Sequence, residues 1–484
     1  MPTLPFPPKS HTKEVILASM RAARDRDLQW KNGRVFGLVY HLSDEIDDLL
    51  KEAYTMFFSE NGLNPTAFPS LNKFENEVVA MAANLLGGDE HVVGTFTSGG
   101  TESLLMAVKT ARDIGRVKWA IKDPEIIVPS TAHPAFDKAG EYFDVRIVHV
   151  PVREDFRADV KAMRAAITKS TIMLVGSAPS YPHGVVDPIR ELATIAEDHG
   201  LLFHTDACVG GFMLPFVRKL SYPVPDFDFS IPGVTSISAD LHKYAYAAKP
   251  ASLVLYRTSE LRRYQMFVST DWPGGIYPSP AMAGSRPGGP VAAAWALLNY
   301  LGEEGYLNIT AAVMRTAKKL QEGVNAIRGL KVLSDPEMSV FAIASDKLDI
   351  YELADELSLR GWHLDRQHFP PSLHVTVNYV HEKVADEFLS DLEEAVKTVR
   401  KPGLRKTASK VAVKSANFLT RVLPEEWVSN LMEKASSTLG SGDGLPERMA
   451  PIYGLLGSLP NRGDLKELVL DLMDNINRYK ENEG

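Results

Sequence analysis

The sequence predicts an α/β protein built on a mostly parallel β-sheet that is covered by helices. From about Glu75 to Ala207, short apolar segments alternate with amphipathic, helix-like segments, which is the pattern of parallel strands joined by helical crossovers. The chain has 484 residues, of which 45% are hydrophobic and 24% charged. This size and composition allow a large buried core and two or three domains.

Polar residues at the ends of the predicted strands are the first candidates for a functional site. In an open parallel sheet, ligands bind beyond the carboxyl ends of the strands. Amphipathic segments such as DVKAMRAAIT and PIRELATIAEDHG separate the strands. The predicted strands are EIIVPS, VRIVHVPV, TIMLVGSAPS and LLFHTDA, with VTSISAD and SLVLYR continuing the sheet.

A change of pattern near Gly329 predicts a small C-terminal α+β domain, built from KVLSDPEMSVFAIAS, YELADELSLRG and SLHVTVNYV. We therefore divide the chain into an N-terminal segment (1–74), a large domain (75–330) and a C-terminal domain with a basic helical tail (331–484). Between Lys397 and Val422 the tail has eight basic residues and no acidic one. This pattern favours a solvated helix face, with contact to an anionic membrane surface as the alternative.

Composition excludes several classes of protein. The formal net charge of -8 argues against a nucleic-acid partner, which normally requires a basic surface. Cys208 is the only cysteine, so no internal disulfide is expected. The N-terminal MPTLPFPPKSHTKEVILASM contains neither a signal peptide nor the roughly 20 apolar residues that a membrane span needs. We expect a cytoplasmic protein with no transmembrane segment and no metal site, acting on a small molecule.

The segment GTFTSGGTESLLMAVKTAR places two glycines at the start of a predicted helix. The apolar residues of this helix recur at helical spacing. Free amide groups at such a terminus, with the positive end of the helix dipole, can bind a phosphate. Because the motif is neither a Walker loop nor GxGxxG, it does not imply a nucleotide. A plain turn before a helix is the alternative.

An aspartate and a lysine follow two neighbouring predicted strands. Asp206 ends the strand in HTDACVGGF and needs a cationic partner, from the protein or from a ligand. Lys243 comes 37 residues later, in SADLHKYAYAAK. With the glycine loop Ser98–Ser103, they fit pyridoxal phosphate, which needs a phosphate cradle, a carboxylate for its pyridine nitrogen and a lysine for a Schiff base. The pKa of Lys243 should then fall from about 10.4 through burial and neighbouring positive charge.

Two further segments supply site candidates. His133 in STAHPAF follows another strand and could stack on the cofactor ring, although a lone histidine is usually structural.

The segment Thr270–Gly289 is too rich in glycine and proline for a helix interior or a strand, and long ordered loops are often functional. Ser285 and Arg286 are its candidate anion ligands. A rigid crossing loop or a subunit contact is the alternative for this segment.

These motifs, in this order, resemble the fold-type I pyridoxal phosphate enzymes of the group II decarboxylase-like superfamily. Within them they resemble the sphingosine-1-phosphate lyase family, and its soluble bacterial members in particular. The resemblance runs from about Phe36 to Val399 and returns at IYGLLG, and it implies a seven-stranded, mostly parallel sheet and a homodimer with shared active sites. The motifs that carry it are TSGGTES, STAHPAF, PHGVVDP, DACVGGF, GVTSISADLHKY, DWPGGIY and AGSRPGG.

The resemblance implies a role for each candidate residue. Lys243 would form the Schiff base, His133 would stack on the ring, and Asp206 would bind the pyridine nitrogen. In NGLNPTAFPSL, Asn64 stands where the family usually has histidine, so one expected phosphate contact is altered. The other implied roles are cofactor-phosphate binding by Gly100, Thr101, His242 and Ser285 of a second subunit, substrate-phosphate binding by Lys249, Asn61, Asn64 and Arg286, and catalysis near Tyr40 and Tyr181.

The resemblance implies a carbon–carbon lyase that converts a phosphorylated sphingoid base to a long-chain aldehyde and phosphoethanolamine. Tyr40, Tyr181, His133 and the released Lys243 are all candidates for the proton transfers, and the sequence does not rank them. An amino acid decarboxylase with the same cofactor is one alternative. An inactive scaffold that keeps the fold is the second.

Overall fold

The computed structural model describes residues 4–401, 449–450, 453, 466–467, 469–471, 473–474 and 477. Within them, seven strands form the central sheet: β1 (Val93–Thr97), β2 (Glu125–Pro129), β3 (Arg146–Val150), β4 (Thr171–Ser177), β5 (Leu202–Asp206), β6 (Ser236–Ala239) and β7 (Ser252–Tyr256). Their order across the sheet is β1-β7-β6-β5-β4-β2-β3. Strand β7 runs antiparallel to the other six strands, which are parallel to one another. The predicted seven-stranded, mostly parallel sheet is confirmed, although β1 was not among the predicted strands.

Burial along the strands explains why these segments pair as they do. Strands β2, β4, β5, β6 and β7 are buried at every position, as expected when helices cover both faces of a sheet. The edge strand β3 instead exposes Arg146 and His149. The edge of the sheet at β3 is therefore partly polar, whereas its centre is buried throughout.

The helices begin at residues that suit a helix start. The side chains of Ser43, Asp159 and Asp349 accept hydrogen bonds from backbone amides at three of these starts, a capping role typical of these residue types. The long α10 changes direction at Gly302, where φ is 55°. The helices are α1 (Lys13–Arg24), α2 (Asp44–Met56), α3 (Pro69–Leu85), α4 (Gly100–Lys118), α5 (Ala135–Phe143), α6 (Val160–Ala165), α7 (Ile189–Asp198), α8 (Leu214–Lys219), α9 (Ser259–Arg262), α10 (Gly288–Ala326), α11 (Ile350–Ser358) and α12 (Ala385–Arg400).

Two smaller sheets complete the described structure. The strands β8 (Phe267–Ser269) and β9 (Tyr277–Ser279) form an antiparallel pair. The expectation that Thr270–Gly289 contains no strand is therefore wrong at β9, because proline is tolerated in a ribbon that has a neighbour on one side only. Strands β10 (Lys331–Leu333), β11 (Val340–Ala344), β12 (Asp365–His368) and β13 (Pro371–Thr376) form an antiparallel sheet in the order β10-β11-β13-β12. Short 3-10 helices cover Trp30–Asn32 and Tyr379–Lys383.

Two features of the sequence fall largely outside the described residues. Of the basic segment that begins at Lys397, the structure describes the part up to Lys401, and of IYGLLG it describes Tyr453. The Tyr453 ring stacks on His368, with 5.5 Å between ring centroids. A search of the described helices for one long and apolar enough to cross a membrane found none.

Candidate active site

A cavity of about 490 Å³ opens at the carboxyl ends of the central strands. Its walls come from the loops that follow β1, β2, β4, β5 and β6, and from β13 of the C-terminal sheet. This is the edge where an open α/β sheet binds ligands. The predicted site residues that line it are Tyr40, Gly100, Thr101, His133, Tyr181, Asp206, His242, Lys243 and Lys249.

The glycine loop forms the part of the cavity suited to a phosphate. Gly99 has φ 154°, and α4 begins at the next residue. A Cβ atom on Gly100 would lie 2.9 Å from both carboxylate oxygens of Asp240 and from the Cys208 Sγ, so a larger residue would not fit without a shift. The amides of a first helical turn have no partner within the helix. This helix start can therefore bind an anion.

His242 lies beside this helix start. A Cβ atom on Gly99 would be 3.6 Å from the His242 Cε1. The His242 Nδ1 accepts a hydrogen bond from the Ala251 amide at 3.3 Å, which leaves the hydrogen of the neutral ring on Nε2. Burial lowers the pKa of His242, against the charge of Asp240. A neutral His242 can donate an N–H to an anion at the start of α4.

Asp206 is held in one orientation at the end of β5. Its side chain is buried, and its Oδ1 accepts hydrogen bonds from the Cys208 amide at 3.0 Å and from the Ser238 hydroxyl at 3.3 Å. Both donors belong to the strand ends around the cavity. The carboxylate can therefore receive a ligand cation with little reorganisation.

His133 follows β2, at the start of α5. Its Nδ1 accepts a hydrogen bond from the Ala135 amide at 3.1 Å. This bond assigns the hydrogen of the neutral ring to Nε2. The bond also fixes the plane of an imidazole that lines the cavity.

Lys243 forms an ion pair that the sequence analysis did not foresee. Its Nζ lies 2.9 Å from the Asp240 Oδ2. Burial lowers the pKa of Lys243, but the negative charges of Asp240 and Asp206 outweigh burial and raise it above its ordinary value. The expected fall in pKa is therefore wrong for the protein described here. The available signal was the acid three residues before the lysine in ADLHK.

The segment after Lys243 is anchored to the rest of the protein. The Tyr244 hydroxyl donates to the Val377 carbonyl at 2.9 Å. The Tyr306 hydroxyl donates to the Ala245 carbonyl at 2.8 Å. These bonds tie the lysine segment to the C-terminal sheet and to α10, so Lys243 is presented from a rigid base.

Lys249 lies at the same cavity, but its surroundings differ from those of Lys243. Its ammonium group donates a hydrogen bond to the Leu38 carbonyl. Burial, and secondarily the charge of Lys243, lower the pKa of Lys249. Among the residues that the structure describes, no carboxylate forms an ion pair with Lys249, so its positive charge can bind an anionic ligand.

The two predicted catalytic tyrosines are both neutral. Burial raises the pKa of Tyr40, whose ring packs edge-on against Tyr244 at 4.9 Å. The Tyr181 ring stacks on His374 with 3.9 Å between centroids, and its hydroxyl donates to the Asp365 Oδ2 at 3.1 Å. Burial, and then the charge of Asp365, raise the pKa of Tyr181. The sequence analysis missed Asp365, which lies in β12 of the other domain.

The other predicted residues do not line the cavity of this single chain. Arg286 forms an ion pair with Glu75 at 2.6 Å and donates to the Gly62 carbonyl at 3.1 Å. Its charge is therefore already neutralised within the protein. The Asn61 and Asn64 side chains accept hydrogen bonds from amides two residues later in their own loop. Ser285 is likewise absent from the cavity wall.

Comparison with known proteins shows which family the chain belongs to. Residues 26–344 match the model of the pyridoxal-dependent decarboxylase conserved domain. The chain is 44% identical over 467 residues to sphingosine-1-phosphate lyase of Arabidopsis thaliana, covering 95% of this chain and 78% of that protein. It is 46% identical over 400 residues to the lyase of Dictyostelium discoideum, covering 82% and 75%.

Two solved structures are also similar to this chain. The chain is similar to the sphingosine-1-phosphate lyase of Burkholderia pseudomallei, with 38% identity and a TM-score of 0.80 over 87% of this chain and 98% of that one. Glutamate decarboxylase of Lactobacillus brevis, at 22% identity and a TM-score of 0.72 over 84% and 97%, shares the fold. The fold-type I architecture expected of a pyridoxal phosphate enzyme is thus confirmed. The chain belongs to the sphingosine-1-phosphate lyase family of pyridoxal-dependent enzymes.

Proposed function

We propose that the protein is a pyridoxal phosphate-dependent lyase that cleaves a phosphorylated sphingoid base to a long-chain aldehyde and phosphoethanolamine. The observation that carries the proposal is the convergence of Lys243, Asp206, His133 and the start of α4 on one cavity. The relatives that match this chain over most of its length at 44% and 46% identity are named as sphingosine-1-phosphate lyases.

The donor set of the cavity fits pyridoxal phosphate. When bound, this cofactor supplies an electron sink for the charge left by the broken carbon–carbon bond. Asp206 would accept the N–H of the pyridine ring, and Lys243 would supply the amine for attachment. The first turn of α4 and the Nε2–H of His242 would hold the phosphate, and the imidazole of His133 would cover the ring.

The tyrosines and His133 would handle protons at the reacting end of the substrate. Tyr40 and Tyr181 keep their hydrogens because burial raises the pKa of both. A neutral phenol can donate to a developing oxyanion without first being protonated. His133 can likewise donate from its Nε2–H, because its Nδ1 accepts a hydrogen bond from a backbone amide. The Tyr181 hydrogen is held by Asp365, which leaves Tyr40 and His133 as the donors. The proton that leaves the substrate hydroxyl needs an acceptor, for which the neutral amine of Lys243 is the candidate.

An amino acid decarboxylase is the alternative. Lys249 in the cavity wall could bind a substrate carboxylate as well as a phosphate, so the cavity alone does not decide between them. The relatives at 44% and 46% identity are named as lyases, which favours the lyase. The test is to incubate the protein with phosphorylated sphingoid bases and, separately, with amino acids. Long-chain aldehyde from the former supports the proposal. Carbon dioxide without aldehyde would show that the protein is a decarboxylase.

We also infer that two chains associate, because an apolar surface of the β8–β9 ribbon is exposed. The segment after this ribbon contacts the cavity wall, where the Met282 amide donates to the Glu102 Oε1 at 2.7 Å. Phe267, Trp272 and Ile276, in and between β8 and β9, are 58%, 57% and 75% exposed. A second copy covering this surface would bring further side chains to the site, with Ser285 as the predicted one. Location in the cytoplasm and contact with a membrane surface stay predictions from the sequence.

Replacing Lys249 with methionine should raise the KM for phosphorylated substrate about 10- to 100-fold, with a smaller change in kcat. The expected loss is that of a charge-assisted hydrogen bond, about 1.5–3 kcal/mol. The steady-state constants should be measured with phosphorylated and unphosphorylated sphingoid bases. Lys249→Arg, which keeps the charge, is the control. An equal effect on both substrates would show that Lys249 does not bind the phosphate.

Replacing Asp365 with asparagine should lower kcat about 10-fold, the scale of one hydrogen bond to a charged group. The carboxylate accepts a hydrogen bond from the Tyr181 hydroxyl at 3.1 Å, so the loss should be smaller in a Tyr181→Phe background, where that bond is already absent. Asp346→Asn is the matched control, because Asp346 pairs with Lys331 on the surface of the same domain. An equal loss of kcat in both backgrounds would mean that Asp365 does not act through Tyr181.

A further inference from the structure

Asp240 is a buried acid between the reactive lysine and the start of α4. It is 2% exposed and lies directly after β6. Its Oδ2 is 2.9 Å from the Lys243 Nζ and 3.7 Å from the His242 Nε2. Gly100 leaves the room in which this carboxylate sits. Asp240 has no part in the binding and catalytic roles proposed for the other cavity residues.

Lys243 is the main group that compensates the buried negative charge of Asp240. Its Oδ1 is buried and has no hydrogen-bond partner among the described residues. An isolated buried carboxylate is costly unless it is paired with a cation. His242 lies farther away, and burial favours its neutral form. The ammonium form of Lys243 therefore stabilises Asp240, and Asp240 stabilises that ammonium in return.

Charged groups on other strands and loops also face Lys243 and affect its pKa. Asp206 at the end of β5 adds a second negative charge, and Lys249 adds a positive one. Asp240 is the carboxylate within hydrogen-bond distance of the Nζ. The remaining titratable groups that face Lys243 are Cys208, His242, Tyr181 and His374.

We propose that Asp240 is a positioning residue for cofactor attachment, holding Lys243 as an ammonium ion until pyridoxal phosphate arrives and thereby setting the pH at which attachment proceeds. The inference rests on the proposed function for the identity of the cofactor. The Lys243–Asp240 pair itself is observed in the structure and does not depend on that identity.

Attachment of the cofactor depends on whether Lys243 carries its extra proton. The ammonium must first give one proton to water, because only the neutral amine attacks an aldehyde. The Nζ lone pair then forms the bond to the aldehyde carbon, and the carbonyl oxygen leaves as water with the two remaining amine hydrogens. A carboxylate that favours the ammonium opposes the first step, so attachment should need a higher pH than an unpaired lysine would.

The first test measures the proton on Lys243 without any cofactor. Cofactor-free protein is labelled briefly with acetic anhydride over a range of pH, and acetylation is followed at each lysine by mass spectrometry. In the wild type, we expect the labelling midpoint of Lys243 to lie above that of the exposed Lys122. A Lys243 midpoint at or below that of Lys122 would overturn the proposal without the need for any variant.

The second test uses Asp240→Asn, which keeps the shape of the side chain and removes its charge. The labelling midpoint of Lys243 should fall by about 1 to 3 pH units, as expected when an adjacent opposite charge is lost. The pH profile for attachment of added pyridoxal phosphate, followed by absorbance, should move in the same direction. Midpoints equal to wild type would overturn the proposal. A failed product assay would overturn the substrate assignment and leave these measurements intact.

Discussion

Replacing Lys243 with methionine should abolish covalent attachment of pyridoxal phosphate and lower kcat by on the order of 10⁴-fold, the upper range for loss of a positioned acid–base group. Methionine fills a similar volume but has no amine for attachment. The measurement is the absorbance of the protein with added cofactor, together with turnover. Lys249→Met is the matched control, since that lysine faces the same cavity and should leave attachment intact.

The same substitution should also destabilise the protein, because it leaves Asp240 buried without its cation. Removing one partner of a buried ion pair costs about 3–5 kcal/mol, which denaturant unfolding can measure. The double substitution of Lys243→Met with Asp240→Asn should recover most of this stability while attachment stays absent. Full attachment in Lys243→Met would refute the assignment of the reactive lysine.

Replacing Asp206 with asparagine should lower kcat about 10²- to 10³-fold, the scale for loss of one preorganised electrostatic group, while covalent attachment survives. The amide can still accept the hydrogen bonds from Cys208 and Ser238, but it cannot keep a bound pyridine nitrogen protonated. The site should thus retain its shape and lose the charge that makes the ring an electron sink. Absorbance and kcat, measured on the same sample, separate these two effects.

Ser238→Ala is the control for the Asp206 prediction. It removes one donor to the carboxylate, a change of about 0.5–1.5 kcal/mol, and should lower kcat no more than about 10-fold. If Asp206→Asn behaves like Ser238→Ala, the carboxylate only orders the strand ends. A loss of attachment in Asp206→Asn would instead show that the residue is needed to form the cavity.

Local sequence patterns predicted six of the seven strands of the central sheet. Continuous apolar runs such as TIMLVGSAPS can only be satisfied where both faces of a strand are covered, and they lie at the centre of the sheet as β4. Strand β1 was missed because VGTFT is short and adjoins the glycine loop. It is held by long-range pairing with β7, which no local pattern reports.

The sequence by itself determined the sheet class, the family and most of the residues that meet beyond the strand ends, because apolar runs and motif spacing are properties of the local sequence. Only the tertiary structure decided the partners of those residues. Asp365 reaches Tyr181 from 184 positions away, and Arg286 is neutralised by Glu75 across 211. The Lys243–Asp240 pair was visible in ADLHK, yet its effect on the pKa depends on burial. Charge, burial and long-range contact are set by packing, and packing is what the sequence pattern leaves open.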